Sequence, residues 1–335
     1  MAVSVKDVAE HAGVSIGTVS NVLNNPEKVS QATIDRVRAS VVALGYVRND
    51  AARQLRAGRS RSIGLVVLDV GNPFFTDVAR GAEARALENA LVVLVGSSDD
   101  DAARESAYLR LFEEQRVAGV LISARGEDTG ELLRLQSRGV PVVLVDGPDT
   151  DAFSSVSVDD VAGGRIAVEH LIGQGRRRIA VVGGPESLHQ VSARIAGARQ
   201  AAASHRDVTL EVIPTAALTV LEGRGAGVVV AARAASTRPD AIFAVNDLLA
   251  VGALQGLVML DDLRVPDDIA VIGYDDIEFA SSTVVPLSSI RQPSKLIGAT
   301  AVQLLLEEID GGPDHRHRSV LFQPELIVRA STAAV

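Results

Sequence analysis

The sequence predicts an α-helical helix-turn-helix headpiece joined to an α/β body of two lobes, each a doubly wound parallel sheet. Three observations predict it. Residues 1–60 break into short capped helices ended by glycine. The rest of the chain alternates apolar strand-like runs with helix-length segments, in two successive series. Charge divides at the same place. Of a formal net charge of −9, residues 1–60 carry eight basic and five acidic side chains, +3, and the remainder carries −12. A small basic head on an acidic body is the asymmetry of a nucleic-acid-binding module attached to something that is not one. At 335 residues and 47% hydrophobic content the chain has ample material for a buried core.

Ser4 can cap a helix over residues 5–12, with Asp7 at the favourable positive end. Gly13 breaks it, and Ser15 can cap a second helix to about Leu23. A third follows Ser30 and runs to Leu44, with Ile34, Val37, Val41 and Leu44 at helical spacing and Gly45 as its stop. Two short helices around a tight turn, then a packing helix, describe a helix-turn-helix. The second helix, within VSIGTVSNVLN, carries Ser15, Gly17, Thr18, Ser20 and Asn21 on its wet side and no charge. Small uncharged hydrogen-bonding groups suit a face pressed closely against base edges in a major groove. An ordinary three-helix cap with a polar surface has the same spacing, so spacing alone leaves the two readings even.

From Ser62 the pattern changes to SIGLVVLD, a buried parallel strand, then a helical run over residues 74–90. LVVLVG, GVLIS and PVVLVD follow at Leu91, Gly119 and Pro141. A second series runs through RIAVVGG, LEVIP, AIFAVND and DIAVIGYDD, from Arg178, Leu210, Ala241 and Asp268. Open sheets of this kind bind ligands outside the carboxyl ends of their strands. The polar residues there, Asp69, Asp146, Asn246, Asp247 and Asp275, are therefore candidates. Any one of them alone could simply cap the next helix.

Residues 5–24, VKDVAEHAGVSIGTVSNVLN, closely resemble the head of the LacI (lactose-repressor) family of bacterial transcription regulators. The likeness continues through GYVRNDAARQL at Gly45 to PELIVRAST at Pro324 and covers nearly the whole chain. It implies a headpiece over 1–47, a hinge helix and linker over 48–61, and an effector-binding and dimerisation core over 62–335. The core would be periplasmic-binding-protein-like, with lobe 1 about 62–158 and 293–320 and lobe 2 about 159–292 and 321–335. The resemblance places Ile16, Gly17 and Asn21 at base edges. Thr18, Ser20 and Asn24 fall where the family contacts phosphates or supports the helix. Many relatives carry a basic residue at position 21 and more polar ones at 16 and 17, so operator preference does not transfer. In the hinge, Leu55 matches a leucine that wedges between base steps in the minor groove. Ala52, Arg53 and Arg56 accompany it at the DNA, and Arg48 replaces the usual proline. An isolated helix this short is not stable in water, so it would form on DNA.

The same resemblance puts Phe74, Asp146, Arg194, Asn246 and Asp275 in an effector cleft between the lobes, with NPFF as part of its wall and His189 and Gln190 near variable specificity positions. Carboxylates and arginine suit the vicinal hydroxyls of a sugar. Leu218 stands where some relatives place an aromatic, and only 3% of residues are aromatic, which favours a compact, pentose-like or sugar-derived effector over a planar purine. The expectation is a sugar-responsive repressor, active as a homodimer on near-palindromic operator DNA, cytoplasmic, with no cofactor and no membrane partner. The rival is a sugar-binding protein without DNA-regulatory activity; the head and the absence of a secretory leader argue against it.

An enzyme is not expected. GRGAG at Gly223 does not follow a strand as a dinucleotide fingerprint requires, and neither a P-loop nor a nucleophile elbow occurs. The chain contains no cysteine, so disulfides and thiolate chemistry are excluded. His315 and His317 in DHRHRS read as an exposed basic loop, not a metal site, because no third ligand has suitable spacing. No leucine heptads follow Ser331, so the lactose repressor's tetramerising tail is not expected.

Overall fold

The computed structural model describes residues 3–46, 60–124, 129–147, 150–259, 263–312 and 315–333. The chain divides into two compact units, 1–59 and 60–335. Among the described residues no helix is long and apolar enough to cross a membrane.

The first unit holds α1 (Val5–Ala12), α2 (Ile16–Asn24) and α3 (Gln31–Leu44). Its helix ends follow from local chemistry. The Ser4 hydroxyl accepts the Asp7 amide and the Asp7 carboxylate accepts the Ser4 amide, a reciprocal cap. Gly13, at φ 60°, closes α1 in the left-handed conformation and turns the chain toward α2. Ser15 caps α2 by accepting the Thr18 amide at 3.1 Å. Val8, Ala12, Val19, Val22, Ile34 and Val37 meet in one small core. Burying each valine stabilises the fold by about 1.5–3 kcal/mol.

The second unit is two lobes. The first contains β1 (Ser62–Val67), α4 (Pro73–Glu88), β2 (Val92–Ser97), α5 (Ala102–Glu114), β3 (Val120–Ile122), α6 (Gly130–Ser137), β4 (Val142–Val145) and β5 (Ser154–Val158). The second contains α7 (Asp160–Gly173), β6 (Arg178–Val182), α8 (His189–Ala203), β7 (Thr209–Ile213), α9 (Val220–Ala231), β8 (Ala241–Ala244), α10 (Asp247–Leu254), β9 (Ala270–Asp275) and β10 (Ser288–Arg291). Then α11 (Ser294–Asp310) and β11 (Ser319–Phe322) return to the first lobe, and β12 (Glu325–Ile327) to the second. The sheets run β11-β5-β4-β3-β1-β2 and β12-β10-β9-β8-β6-β7. Every pairing is parallel except β10 with β12. The first sheet reaches Phe322, two residues past the lobe boundary of 320 read from the sequence. The β11 run of four residues pairs with β5 along its whole length, Phe322 opposite Val158.

Glycines let the helices pack in close pairs. A Cβ on Gly81 would lie 1.9 Å from the Lys295 carbonyl oxygen, and one on Gly298 equally close to that of Val78, so α4 and α11 touch backbone to backbone. Gly164 and Gly197 do the same for α7 and α8, each facing a carbonyl of the other helix at 2.0 Å. That approach brings Arg194 of α8 within reach of Asp160, the first residue of α7.

Candidate functional site

Strand ends from both lobes converge on one group of buried charges. Asn72, just beyond β1, caps α4 by accepting the Phe74 amide at 3.0 Å. Its own amide reaches across to the other lobe and donates to Asp275 at 3.5 Å. Asp275 ends β9 at φ 104° and also accepts from Gln292 at 2.7 Å. Arg194 donates to Asp160 at 2.7 Å and to the Val245 carbonyl at 2.8 Å, and its guanidinium lies 3.6 Å from Asp275. The guanidinium carbon stands 3.8 Å from the centre of the Tyr274 ring, a cation–π contact between two buried side chains. Asp146 ends β4 at φ 56°, and one of its carboxylate oxygens is buried without a hydrogen bond.

Three carboxylates thus share one buried cation. Burial, with the charges of Asp160 and Asp275, outweighs Arg194 and pushes Asp146 up to about 7. Burial likewise pushes Asp275 up to about 6, against the lowering effect of Arg194, Gln292 and Asn72. Burial works against the charge on Arg194, but Asp160, Tyr274, Asp275 and Asp146 raise its pKa further above the ordinary arginine range. Asp247 lies behind Asp275, accepting from Ser289 at 2.7 Å and the Ile277 amide at 2.9 Å, and burial raises it well above the usual carboxylate range.

A cavity of about 310 Å³ opens beside this group, between the lobes. Asn72, Phe75 and Asp99 line it from one side and Gln190, Leu218 and Thr219 from the other, and among the described residues no lysine or arginine contributes to its wall. Of the five cleft residues expected from the sequence, Asp146, Arg194 and Asp275 are gathered, but behind the wall rather than on it. Arg194 and Asp275 spend their hydrogen bonds on protein partners. Asn246 caps α10 by accepting the Leu249 amide at 2.9 Å, and donates to the carbonyl of cavity-lining Leu218 at 3.2 Å. Phe74 is not among the residues lining the cavity. Phe75 is the ring on the cavity, and Phe74 packs edge-on against it, with centroids 5.1 Å apart. Neighbours on a helix point about 100° apart, so one residue of offset exchanges wall for core. Asp160, the main partner of Arg194, was missed because an acid at a helix start reads as a cap.

On α2, Ile16 is 47% exposed, and Gly17, Asn21 and Asn24 are also exposed. Thr18 and Ser20 are half-buried. Thr18 is hydrogen-bonded to Ser15 at 2.9 Å, and Asn24 donates to the Ser20 carbonyl at 2.8 Å. This leaves Ile16, Gly17 and Asn21 as an uncharged outer face with little bulk. Ala52, Arg53, Leu55 and Arg56 lie outside the described residues. His315 and His317 are not exposed as the sequence suggested: both are half-buried against Glu308.

Residues 4–49 match the bacterial regulatory proteins of the lacI family, and residues 168–332 match a periplasmic binding protein-like domain. The chain is 34% identical to the HTH-type transcriptional repressor PurR of Aliivibrio fischeri over 98% of both chains. It is 35% identical to that of Vibrio campbellii over 97% of both. Among solved structures it resembles the lac repressor dimer bound to operator and the anti-inducer ONPF, with a TM-score of 0.85, 28% identity and 100% of both chains covered. It also resembles a LacI family transcriptional regulator from Enterococcus faecium with bound ribose, with a TM-score of 0.74 and 27% identity over 82% of this chain and 99% of that one.

Proposed function

The chain belongs to the lacI family of bacterial regulatory proteins, and from that premise we propose that it is a cytoplasmic transcriptional repressor. It binds near-palindromic operator DNA as a homodimer, and a small sugar or sugar derivative in the interlobe cavity switches its operator affinity. The observation that carries the effector class is the wall of that cavity. It offers carboxylates, amides and a hydroxyl from both lobes, an apolar face from Phe75 and Leu218, and, among the described residues, no cation. Such a wall suits a neutral polyol, whose hydroxyls both donate and accept, and repels a phosphorylated one. A ligand touching both lobes binds one lobe arrangement better than another, which is the condition for a switch.

The outer face of α2 supports DNA reading. Asn21 can pair bidentately with adenine, Ile16 can meet a thymine methyl, and Gly17 allows close approach. Ala52, Arg53, Leu55 and Arg56 complete the proposed contact set through the hinge. For the homodimer, Leu87 of α4, Leu296 of α11 and Val92 of the edge strand β2 are exposed apolar groups on the first lobe. A second copy would cover them, and the similar lac repressor structure is of a dimer. The test is fluorescence anisotropy of labelled DNA from upstream of the chain's own gene, titrated with a panel of free and phosphorylated pentoses and hexoses. A shift with one neutral sugar is expected. Response only to phosphorylated sugars would refute the effector class, and saturating sugar binding without DNA binding would establish the sugar-binding rival.

A further inference from the structure

We propose that Glu308, His315 and His317 form a binding site for a divalent transition-metal ion, zinc in the first place, at the end of the first lobe away from the cavity. The cavity opens at the carboxyl ends of the strands. This cluster surrounds Ser154, where β5 begins. Glu308 lies in the last turn of α11 with its side chain 7% exposed, and the two histidines come from the segment returning to β11. His317 Nδ1 is 2.8 Å and His315 Nε2 3.0 Å from the same carboxylate oxygen, Oε1, which also accepts the Ser154 hydroxyl. No two of the three candidate ligand atoms are more than 4.8 Å apart.

Hydrogen bonding alone does not satisfy this arrangement. His315 Nε2 is buried and, despite its 3.0 Å approach, is not aligned to bond Glu308. The rings stand nearly perpendicular, at 82°, with centroids 5.9 Å apart. Tetrahedral zinc, with bonds of about 2.0–2.2 Å, sets its ligand atoms roughly 3.4 Å apart. The two short pairs would open by a few tenths of an ångström. Two imidazoles and one carboxylate, with a fourth position left for water, are a zinc-type donor set. Calcium and magnesium would demand oxygen alone.

Supporting residues are in place. Ser154 orients the carboxylate, and the Gln136 amide lies 3.4 Å from His317 Nε2, the ring nitrogen left over when Nδ1 binds metal. An amide flip would turn the Gln136 oxygen toward that N–H. Two cations flank the site, but Arg316 is exposed and Arg318 is paired with Glu307 at 2.8 Å.

The test uses the full chain, stripped with a chelator and titrated with zinc against a chromogenic competitor at pH 7.5. One equivalent per chain is expected. Affinity should fall at least about tenfold in His315→Gln and in Glu308→Gln, and also on lowering the pH below 6, where the ligands must shed protons to bind. His189→Gln, on the second lobe, should bind like the parent. Circular dichroism in the absence of metal separates misfolding from ligand loss, and His315→Gln alters only a half-buried side chain. The proposal is overturned if the parent takes up no stoichiometric zinc, or if His315→Gln, folded like the parent, retains the parent's affinity.

Discussion

Replacing Asp146 by asparagine should make the protein more stable at pH 8 and leave it unchanged at pH 4. Asp146 ends β4 in the left-handed region at φ 56°, which asparagine adopts as readily as aspartate. The substitution therefore keeps shape and removes only the ability to ionise. In the folded chain, burial and the neighbouring Asp160 and Asp275 charges push Asp146 up to about 7, from an ordinary value of 3.8. Between those values the folded state holds a proton that the unfolded state has released. Stability accordingly falls as pH rises through that window, and the full cost is present above pH 7. A difference of about three units at 1.36 kcal/mol each gives roughly 4 kcal/mol. That figure is a ceiling, because relaxation and water entry reduce the cost of holding a charge in a buried cluster. Urea unfolding of the full chain, followed by circular dichroism from pH 4 to 8, measures it. Parent and variant curves should meet near pH 4 and diverge by a few kcal/mol by pH 8. Parallel pH profiles would refute the assignment of Asp146 as a buried acid with a raised pKa.

Arg194→Met leaves Asp160 and Asp275 without their buried cation and should cost about 3–5 kcal/mol; a calorimetric loss below about 1 kcal/mol would mean the cluster relaxes or hydrates freely. Gly298→Ala drives a methyl into the Val78 carbonyl and should cost at least about 1–3 kcal/mol, whereas Gly173→Ala, with nothing within 4 Å of the added carbon, should be neutral or slightly stabilising. Equal melting temperatures for these two variants would contradict the backbone contact of α4 and α11. Asn21→Ala should relax preference at one base position per half-site at a cost of about 1–3 kcal/mol; selection on randomised operators reads it, and an unchanged base profile removes Asn21 from recognition.

The head was legible residue by residue, since serine caps and glycine stops act within one turn of the chain. Most central strands were legible too, because strands covered on both faces read as unbroken apolar runs. Four strands escaped notice: β11 and β12 are short, at four and three residues, and the other two are rich in serine, β5 being SSVSV and β10 SSIR. Their buried hydroxyls are satisfied by one another and by distant partners: Ser155 with Ser319 at 3.0 Å, Ser288 with Thr332 at 2.7 Å, Ser289 with Asp247. Such pairing appears only after folding, so no apolar pattern announces it. The site divides in the same way. Strand-end position singled out Asp146 and Asp275, but the partners that complete the cluster, Asp160 on Arg194 and Asn72 and Gln292 on Asp275, come from a helix start, a loop and a crossing segment. Glu308 was beyond any local spacing rule, because a loop folding back onto α11 brings the histidines to it.

The chain passes between the lobes three times: from β5 to α7, from β10 to α11, and from β11 to β12. Two of these passages are bonded to each other, with the Asp159 amide donating to the Phe322 carbonyl at 3.0 Å. Three short straps leave two rigid bodies with few soft coordinates between them, chiefly opening and twist. Whatever fills the gap can change only those coordinates. Recognition and output are thereby separable: substitutions at wall positions such as Leu218 or Gln190 can retune which molecule is sensed without rebuilding the mechanical consequence of sensing it. A lineage carrying this scaffold can acquire new signals by changing a few side chains, and keep the same response.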